Sequence, residues 1–598
     1  MTLNTIDWLI IVSYFVVALL IGIWASRRAG RSLAEFFLSG RTMPWWLLGA
    51  SMVATTFSCD TPTLITDMVR QNGVAGYWEA WVFLLTGMLT VFVYAKLWRR
   101  SGVLTDLEFY ELRYSGKPAA FLRGFRALYL GAIFNLILIA GVTLAAIKIG
   151  GAMLGLSPLQ TIGAAAVVTL VYSMLGGLRA VLLTDLLLFT MAMIGSVVAA
   201  VVAVNHEAVG GLAGLMAHQA VQPKLPILPD FNNYETMMSI FIIPLAVQWW
   251  SVWYPGAEPG GGGFVAQRML AAKNERHATG AMLMFAAMHY AVRPWPWLLV
   301  ALSSIIVFPN LEALQTAFPH IHSDFVKHDL AYPAMLTFLP HGMLGFVLAS
   351  LIAAYMSTIS TLLNWGSSYL TNDFYRRFLR KDASEKELVL VGRVYILALL
   401  IIGSALAFWF QNQLNVFHII LQIGAGTGLL FLLRWFWWRI NAACEIAAMI
   451  VSFLMAIAFE ILEFQEVFGP EGIKNWVKIV TGVAITTVSW LLVMFLTRPT
   501  DQATLYRFCR LIRPGGPGWR AVIARAQAEG NPVDYAGEKW TVPMGILCMF
   551  IGCTAVYSAL FGTGYWIYGN YLPAVILSCV GIVSSVLLIV LWGRVSAG

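Results

Sequence analysis

Charged residues are scarce in this 598-residue chain. Only 11% of its residues are Asp, Glu, Lys or Arg, whereas 59% are hydrophobic, and the mean hydropathy is +0.75. Average soluble domains carry roughly a quarter charged residues. The composition therefore excludes an ordinary soluble protein and predicts an all-α integral membrane protein, in which apolar segments of spanning length take up most of the chain.

Cysteine is also rare, and its spacing matches neither a disulfide framework nor a metal site. The six cysteines lie mostly in apolar segments, where we interpret them as small core residues. The glycine motifs of nucleotide-binding proteins are absent in a strand–helix context, which argues against direct ATP coupling. The motifs HExxH and GxSxG are absent too, so an enzyme is disfavoured.

Apolar runs of about 20 residues are long enough to cross a bilayer as helices. The sequence predicts about 15 of them, near 5–26, 44–70, 76–98, 122–153, 158–175, 182–205, 234–258, 278–308, 341–370, 388–410, 413–437, 441–463, 474–496, 542–562 and 571–592.

The Lys and Arg residues fall in alternate loops, which is the positive-inside pattern and not a nucleic-acid-binding patch. Basic residues follow every odd-numbered span up to the ninth, and the loop 497–541 carries six arginines. This pattern predicts that the N-terminus is outside and the C-terminus is cytoplasmic, in the inner or plasma membrane. The loops 206–233 and 309–333 are then on the outer side.

The second apolar run is interrupted by polar residues at its centre. Thr55, Thr56, Ser58, Asp60 and Thr61 are followed directly by a proline. A proline and an acid at membrane depth are tolerated only inside protein or beside a water-filled cavity. A helix broken at mid-membrane is typical of ion and solute sites in secondary transporters, although an inert kinked helix would look similar.

A second interrupted segment comes later in the chain. The apolar run that ends at Tyr254 continues into PGAEPGGGG at 255–263, and a helical pattern resumes at Phe264. Taken alone this stretch could be a flexible loop. Paired interruptions in the two halves of a chain, however, are the best sequence indication of a transporter's binding site.

The ninth span carries hydroxyl and amide side chains on one helical face. Ser357, Ser360, Thr361 and Asn364 follow the i, i+3, i+4, i+7 spacing. Hard cations prefer such oxygen ligands, so this face could bind sodium. Helix packing through hydroxyl groups is an equally good interpretation of the stretch by itself.

Several short motifs follow one another along the chain. They are FLSGR at 37–41, PWW at 44–46, GAS at 49–51, LTDLEF at 104–109, ELRY at 111–114, GGLRAV at 176–181 with Thr184-Asp185, Gln267-Arg268, the segment 357–364 and DFY at 373–375. In this order they resemble the motifs of the sodium:solute symporter family, which includes sodium/glucose, proline and sialic acid transporters. The similarity covers roughly residues 5–437.

The resemblance implies a leucine-transporter-like fold with two inverted five-helix repeats. One leading helix and a basic loop (1–43) would precede a first repeat (44–205), an outer loop (206–233) and a second repeat (234–437). Further helices with a basic cytoplasmic loop (497–541) would fill 438–598. The sequence gives no account of the role of these last helices.

The resemblance also implies a sodium site between the first interrupted helix and the ninth span. Its expected ligands are the backbone carbonyls of Ala54, Phe57 and Ala354 and the hydroxyls of Ser357 and Thr358. Asp185 corresponds to a position near the sodium path.

The sugar pocket of the family is not matched residue for residue. Thr61, beside Asp60, stands where sugar-transporting members carry a glutamine, and PGAEPGGGG replaces a tyrosine gate and an amide. Asp60 and Thr61 are expected to bind the solute together with residues near the second interruption, namely Gln248, Trp249, Trp250 and Glu258.

We therefore predict a sodium-coupled symporter that imports a small polar solute, such as a sugar, an amino acid or an organic acid, by alternating access. The expected partners are the solute, sodium and lipid, with no nucleic acid and no partner protein. A proton-coupled transporter, a channel, a scaffold or a membrane-embedded enzyme on the same fold remains the alternative.

Overall fold

The computed structural model describes residues 3–29, 38–103, 105–173, 178–251, 259–464, 467, 472–533 and 540–596. Within them the chain is helical, and the only β-type pairing is an isolated bridge between Met43 and Ala272. The helices discussed here are α1 Thr5–Ala29, α2 Trp45–Thr55, α3 Asp60–Asn72, α4 Val74–Ser101, α5 Gly116–Leu154, α6 Pro158–Ser173, α7 Leu178–Val204, α8 Tyr234–Ala246, α9 Gly263–Ala271, α10 Glu275–Val307, α11 Met343–Leu379, α12 Glu385–Leu406, α13 Gln413–Leu433, α14 Ala442–Phe464, α15 Asn475–Leu496, α16 Gln502–Ile512, α17 Arg520–Ala528, α18 Val542–Ile567 and α19 Tyr571–Ser596.

Ten helices in the described part of the chain are long and apolar enough to cross a membrane, or eleven if the bent α13 counts as one span. These eleven coincide with eleven of the predicted spans. The other four predicted spans contain α1, the interrupted pair α2 and α3, the short helix α6, and α8. The exact total of 15 stays a prediction.

The predicted interruption of the second span is confirmed. Helix α2 ends at Thr55, α3 begins at Asp60, and residues 56–59 between them are not helical. Helices α2 and α3 lie at the centre of the bundle, where α7 and α10 pack against α2 and α5, α10 and α13 pack against α3. The interruption is therefore enclosed by protein, as membrane depth requires.

The helices next to the two interruptions are joined at one end of the bundle. The Met43 backbone N–H, just before α2, donates to the Ala271 carbonyl at 3.3 Å, and the Lys273 N–H donates back to Met43 at 3.2 Å. These bonds join the start of α2 to the end of α9. Of the second interruption, residues 252–258 lie outside the described part of the chain.

Helices beyond residue 437 brace the outside of the bundle. Helices α14 and α15 pack on α13, and α18 packs on α4 and α10. Tyr557 of α18 donates to the Trp81 carbonyl at 2.8 Å, and Trp295 of α10 donates to the Leu560 carbonyl at 2.7 Å. Much of α19 is exposed, including Leu572 and Ile589, as expected for a lipid-facing helix.

Helix α13 bends by 49° between Gly424 and Gly426, and glycine-rich sequence of this kind permits such a kink. Beyond the bend, a β-carbon at Gly428 would overlap the backbone oxygen of Trp250. Only glycine lets α13 approach the chain that leads into the second interruption this closely.

Replacing Gly428 with alanine is expected to destabilise the protein by about 1–3 kcal/mol, because a backbone atom must move. The measurement is the thermal unfolding midpoint of the purified protein in detergent. Gly482→Ala on the neighbouring α15 is the control, since a β-carbon there would meet nothing within 4 Å and alanine favours a helix. Equal midpoints for Gly428→Ala and wild type would contradict this packing.

Candidate ion and solute site

The interruption between α2 and α3 exposes backbone carbonyls that a continuous helix would use. Thr56 donates its hydroxyl to the Met52 and Val53 carbonyls at 3.1 and 3.0 Å, and the Phe57 N–H donates to the Ala54 carbonyl at 3.0 Å. The Thr56 N–H also donates to the Ala54 carbonyl, so this oxygen, which accepts from both backbone donors, lies at the open end of α2. The negative end of the α2 dipole also favours a cation here.

The buried carboxylate of Asp185 joins three helices. Ser51 of α2 donates to Asp185 Oδ2 at 2.6 Å, and Ser357 of α11 donates to Asp185 Oδ1 at 3.1 Å. Asp185, on α7, is only 1% exposed. The structure thus brings the predicted Asp185 and Ser357 together and places both beside α2.

A buried arginine belongs to the same cluster. Arg268 Nη2 lies 3.9 Å from Asp185 Oδ2 and donates to the Thr55 hydroxyl at 3.2 Å, while Arg268 Nε lies 3.4 Å from the Ser51 hydroxyl. The guanidinium offsets the charge of the Asp185 carboxylate, which would otherwise be costly to bury. The sequence indicated Arg268 only as part of a motif.

Thr358 has a hydroxyl that fits an ion ligand. Its Oγ1 is buried, and it has no hydrogen-bond partner in the described structure. A buried polar atom left unpaired costs about 1–3 kcal/mol, and coordination of a cation would remove that cost. Ala354 lies one turn earlier on α11, and Thr358 follows the Ser357 that contacts Asp185.

A cavity of about 80 Å³ lies beside the interruption. Its walls come from the interruption and from α3, α4, α5, α10 and α13. The lining residues are Thr56, Asp60, Thr61, Leu64, Ile65, Tyr77, Ala80, Phe83, Leu138, Gly141, His289, Tyr290, Arg293, Gln413, Val416, Phe417 and Ile420. The predicted solute-binding residues Asp60 and Thr61 are both among them.

Arg293 and His289 connect the cavity to the interruption. Arg293 Nη1 donates to the Thr56 carbonyl at 2.9 Å, and Arg293 Nη2 lies 3.3 Å from His289 Nε2. His289 Nδ1 is 3.1 Å from the Thr56 hydroxyl. Thr56 therefore belongs to both the interruption and the cavity wall.

With this geometry in place, comparison with known proteins identifies the family. The family model described as "SSF: Sodium:solute symporter family" matches residues 36–452. The chain belongs to the sodium:solute symporter family. The predicted family is thereby confirmed, and the match extends the similarity somewhat beyond α13.

Curated relatives of this family member include sodium/glucose cotransporters. The chain is 26% identical to sodium/glucose cotransporter 1 of Mus musculus over 562 residues, covering 85% of this chain and 81% of the relative. It is 25% identical to the sodium/glucose cotransporter of Vibrio parahaemolyticus over 507 residues, covering 81% and 91%.

A solved structure of a Na⁺-coupled sialic acid symporter in an outward-open state shares the fold. The TM-score is 0.64 at 19% sequence identity, covering 83% of this chain and 99% of the symporter. This structural similarity confirms the predicted all-helical membrane fold. The division into inverted repeats, with its boundaries, stays a prediction.

The aromatic residues predicted near the second interruption are not in the cavity wall. The Gln248 side-chain amide donates a hydrogen bond to the Glu79 carbonyl at 2.8 Å. The rings of Trp249 and Trp250 pack against each other with their centroids 5.3 Å apart. These three residues tie the end of α8 to α4 instead of lining the cavity. Glu258 lies outside the described residues, and its predicted role stays a prediction.

The histidines of the loop 309–333 have separate partners. His320 Nε2 lies 2.9 Å from the Gly151 carbonyl, and His322 pairs with Asp324. His328 accepts from Arg70 Nε at 3.3 Å. Burial, followed by the charges of Arg70 and Lys224, lowers the pKa of His328 to about 4, so this imidazole is neutral at pH 7.

Sequence reasoning did not assign Arg293, His289, Tyr77 or Gln413 to a solute site. Arg293 and His289 are ionisable residues within the predicted span 278–308, a pattern that marks functional sites by default. Their spacing of four residues places them on one helical face, which is the signal in the sequence for a shared site. Gln413 carried no comparable indication, since polar residues are common where a helix begins.

Proposed function

We propose that this protein is a sodium-coupled symporter that takes up a small polar solute by alternating access. The observation that carries the proposal is the meeting of interrupted α2, Asp185 and Ser357 beside the unpaired hydroxyl of Thr358. The family match and the sodium-coupled relatives support the same ion. Sodium is therefore the coupling ion of the proposal and is carried as cargo, not held as a cofactor.

The proposed sodium ligands are the carbonyls of Ala54, Phe57 and Ala354 and the hydroxyls of Ser357 and Thr358. Oxygen donors of this kind suit a hard cation, and unwound carbonyls supply such donors in transporters with interrupted helices. Asp185 lies next to the site and holds Ser357 by a hydrogen bond. We assign Asp185 the role of orienting Ser357 and adding negative charge near the ion.

Coupling arises because one short segment serves both sites. In this proposal the segment 56–59 supplies the Phe57 carbonyl to sodium, and it leads directly into Asp60 and Thr61, which line the cavity. Sodium binding would fix the conformation of this segment and thereby position Asp60 and Thr61. Binding that orders a shared element favours the second ligand.

Buried polar contacts lie toward both ends of the bundle. Asp106 accepts from the Tyr369 hydroxyl and from the Gly263 N–H, the latter at 2.8 Å. On the side predicted to be outer, Lys148 and Asp329 form a fully buried ion pair, with 2.5 Å between Lys148 Nζ and Asp329 Oδ1. Alternating access requires contacts at one end to open while those at the other stay closed.

The membrane potential would supply the driving force. One charge that crosses 100 mV releases about 2.3 kcal/mol, which corresponds to roughly 50-fold accumulation of the solute. The orientation predicted by the basic loops, with the N-terminus outside, belongs to this proposal.

Proton coupling is the second candidate, and one observation favours it. Within the described part of the chain, the Asp60 Oδ1 atom is buried without a hydrogen-bond partner, so this carboxyl could carry a proton.

Sodium concentration jumps on proteoliposomes adsorbed to a solid-supported membrane separate the two candidates without knowledge of the solute. We expect a saturable transient charge displacement when sodium replaces choline at constant pH. Displacement that follows pH jumps and is indifferent to sodium would contradict sodium coupling and establish the proton alternative.

A further inference from the structure

Two opposite charges line the small cavity and do not pair with each other. Asp60 lies in the first turn of α3, and Arg293 lies on α10, where it is 2% exposed. The two charges attract each other across the cavity, but no ion pair within 4.0 Å joins these two described residues. A buried charge without a direct ionic partner is costly, and a ligand that contacts both charges would lower that cost.

Each charge keeps unused hydrogen-bonding capacity. The Arg293 guanidinium contacts the Thr56 carbonyl, His289 and the Tyr77 side chain, while its Nε is buried without a partner in the described structure. Asp60 Oδ1 is likewise buried without a partner. A guanidinium has five N–H donors and a carboxylate about four lone-pair sites, so both groups can bind a ligand.

We infer that the transported solute is a small zwitterion, whose carboxylate binds Arg293 and whose ammonium group binds Asp60. This inference rests on the proposed function and narrows it to amino-acid-like solutes. A guanidinium matches the planar geometry of a carboxylate. The two charged ends of one zwitterion would contact Asp60 and Arg293 at the same time, each with the opposite charge.

The cavity has room for a small solute. Its volume of about 80 Å³ is several times the roughly 10–15 Å³ that one water molecule requires. An amino acid as small as alanine has half as many atoms other than hydrogen as a hexose, so the smaller solute is the better fit to this conformation.

The rest of the wall fits this solute class. Thr61, Tyr77 and Gln413 supply polar groups near the charged pair, and Leu64 and Phe417 supply apolar surface for a short side chain. A neutral sugar would offer neither Asp60 nor Arg293 an opposite charge to contact. A simple carboxylate would compensate Arg293 only.

Thermal stabilisation of the purified protein tests the inference. The probes are L-alanine, L-proline, D-glucose, D-galactose, propionate and alaninamide, each added in sodium chloride and in choline chloride. A ligand that binds the folded state raises the unfolding midpoint. We expect sodium-dependent stabilisation by at least one of the two amino acids. The sugars, propionate and alaninamide should require at least tenfold higher concentrations for the same rise in the unfolding midpoint.

Two variants test which end of the solute each charged side chain binds. Asp60→Asn is expected to weaken amino-acid binding at least tenfold and to remove the preference over propionate, because the ammonium group loses its partner. Arg293→Lys keeps the positive charge and guards against misfolding of a neutral variant, and we expect it to weaken amino-acid binding as well. Asp230→Asn, in the exposed loop before α8, is the matched control and should leave binding unchanged.

Stabilisation by a hexose or by propionate that equals or exceeds that of every amino acid would overturn the inference. Failure of every amino acid to bind, or unchanged binding in Asp60→Asn, would overturn it too. The sodium concentration jumps distinguish failure of the zwitterion inference from failure of the proposed function. A sodium response without amino-acid binding refutes only the zwitterion, whereas loss of the sodium response refutes the proposed function itself.

Discussion

Replacing Ser357 and Thr358 together with alanine is expected to weaken sodium binding at least tenfold. The double variant removes two of the five proposed oxygen ligands, and the carbonyls of Ala54, Phe57 and Ala354 remain. Charge-assisted contacts are each worth about 1.5–3 kcal/mol, and a tenfold change in affinity requires only about 1.4 kcal/mol. The measurement is equilibrium binding of radioactive sodium to purified protein.

Ser350→Ala is the matched control for this double variant. Ser350 is a buried serine on the same helix, and its hydroxyl donates to the Val347 carbonyl of its own helix at 2.7 Å. Its loss should leave sodium affinity within twofold of wild type. Unchanged sodium affinity in a well-folded double variant would show that the ion binds elsewhere.

The single replacement Lys148→Met is expected to destabilise the protein by about 3–5 kcal/mol, because it leaves the Asp329 carboxylate buried without its counter-charge. Both side chains are 0% exposed. Lys148 also donates to the Gln411 carbonyl at 2.8 Å, and Asp329 accepts from the Gln413 N–H at 3.0 Å. The pair therefore fixes the start of α13, whose Gln413 side chain lines the cavity.

Chemical unfolding of the single and double variants measures this effect. Lys148→Met/Asp329→Leu should recover a substantial part of the lost stability, since apolar replacement of a buried pair is often neutral. Lys474→Met breaks the exposed pair with Glu235 and should cost at most about 1 kcal/mol. Equal losses in Lys148→Met and Lys474→Met would contradict the assignment of a buried, structure-determining pair.

The sequence predicted those features of the fold that depend on residues close together in the chain. Asp60 and the proline after it cannot continue a lipid-exposed helix, and the structure has its interruption at 56–59. The hydroxyl face of the ninth span also predicted where α11 meets a polar centre, because Ser357 bonds to Asp185. Both predictions rest on residues that are unusual at membrane depth.

The cavity itself could not be predicted because distant segments form it. Arg293 and Gln413 come from α10 and α13, more than 230 residues after Asp60, and only tertiary packing brings them together. Trp249 and Trp250 lie outside the wall of this cavity, and their indoles pack on each other. Their predicted role in solute binding stays a prediction.

Coupled flux tests the central claim most directly. Proteoliposomes containing the protein would be given external radioactive sodium, with either a mixture of the twenty standard amino acids, or glucose with galactose, or no solute. The account predicts that amino acids accelerate sodium entry several-fold at an inside-negative potential and that sugars do not. Sodium entry that no solute changes would contradict symport, and entry accelerated by sugars alone would contradict the zwitterionic solute.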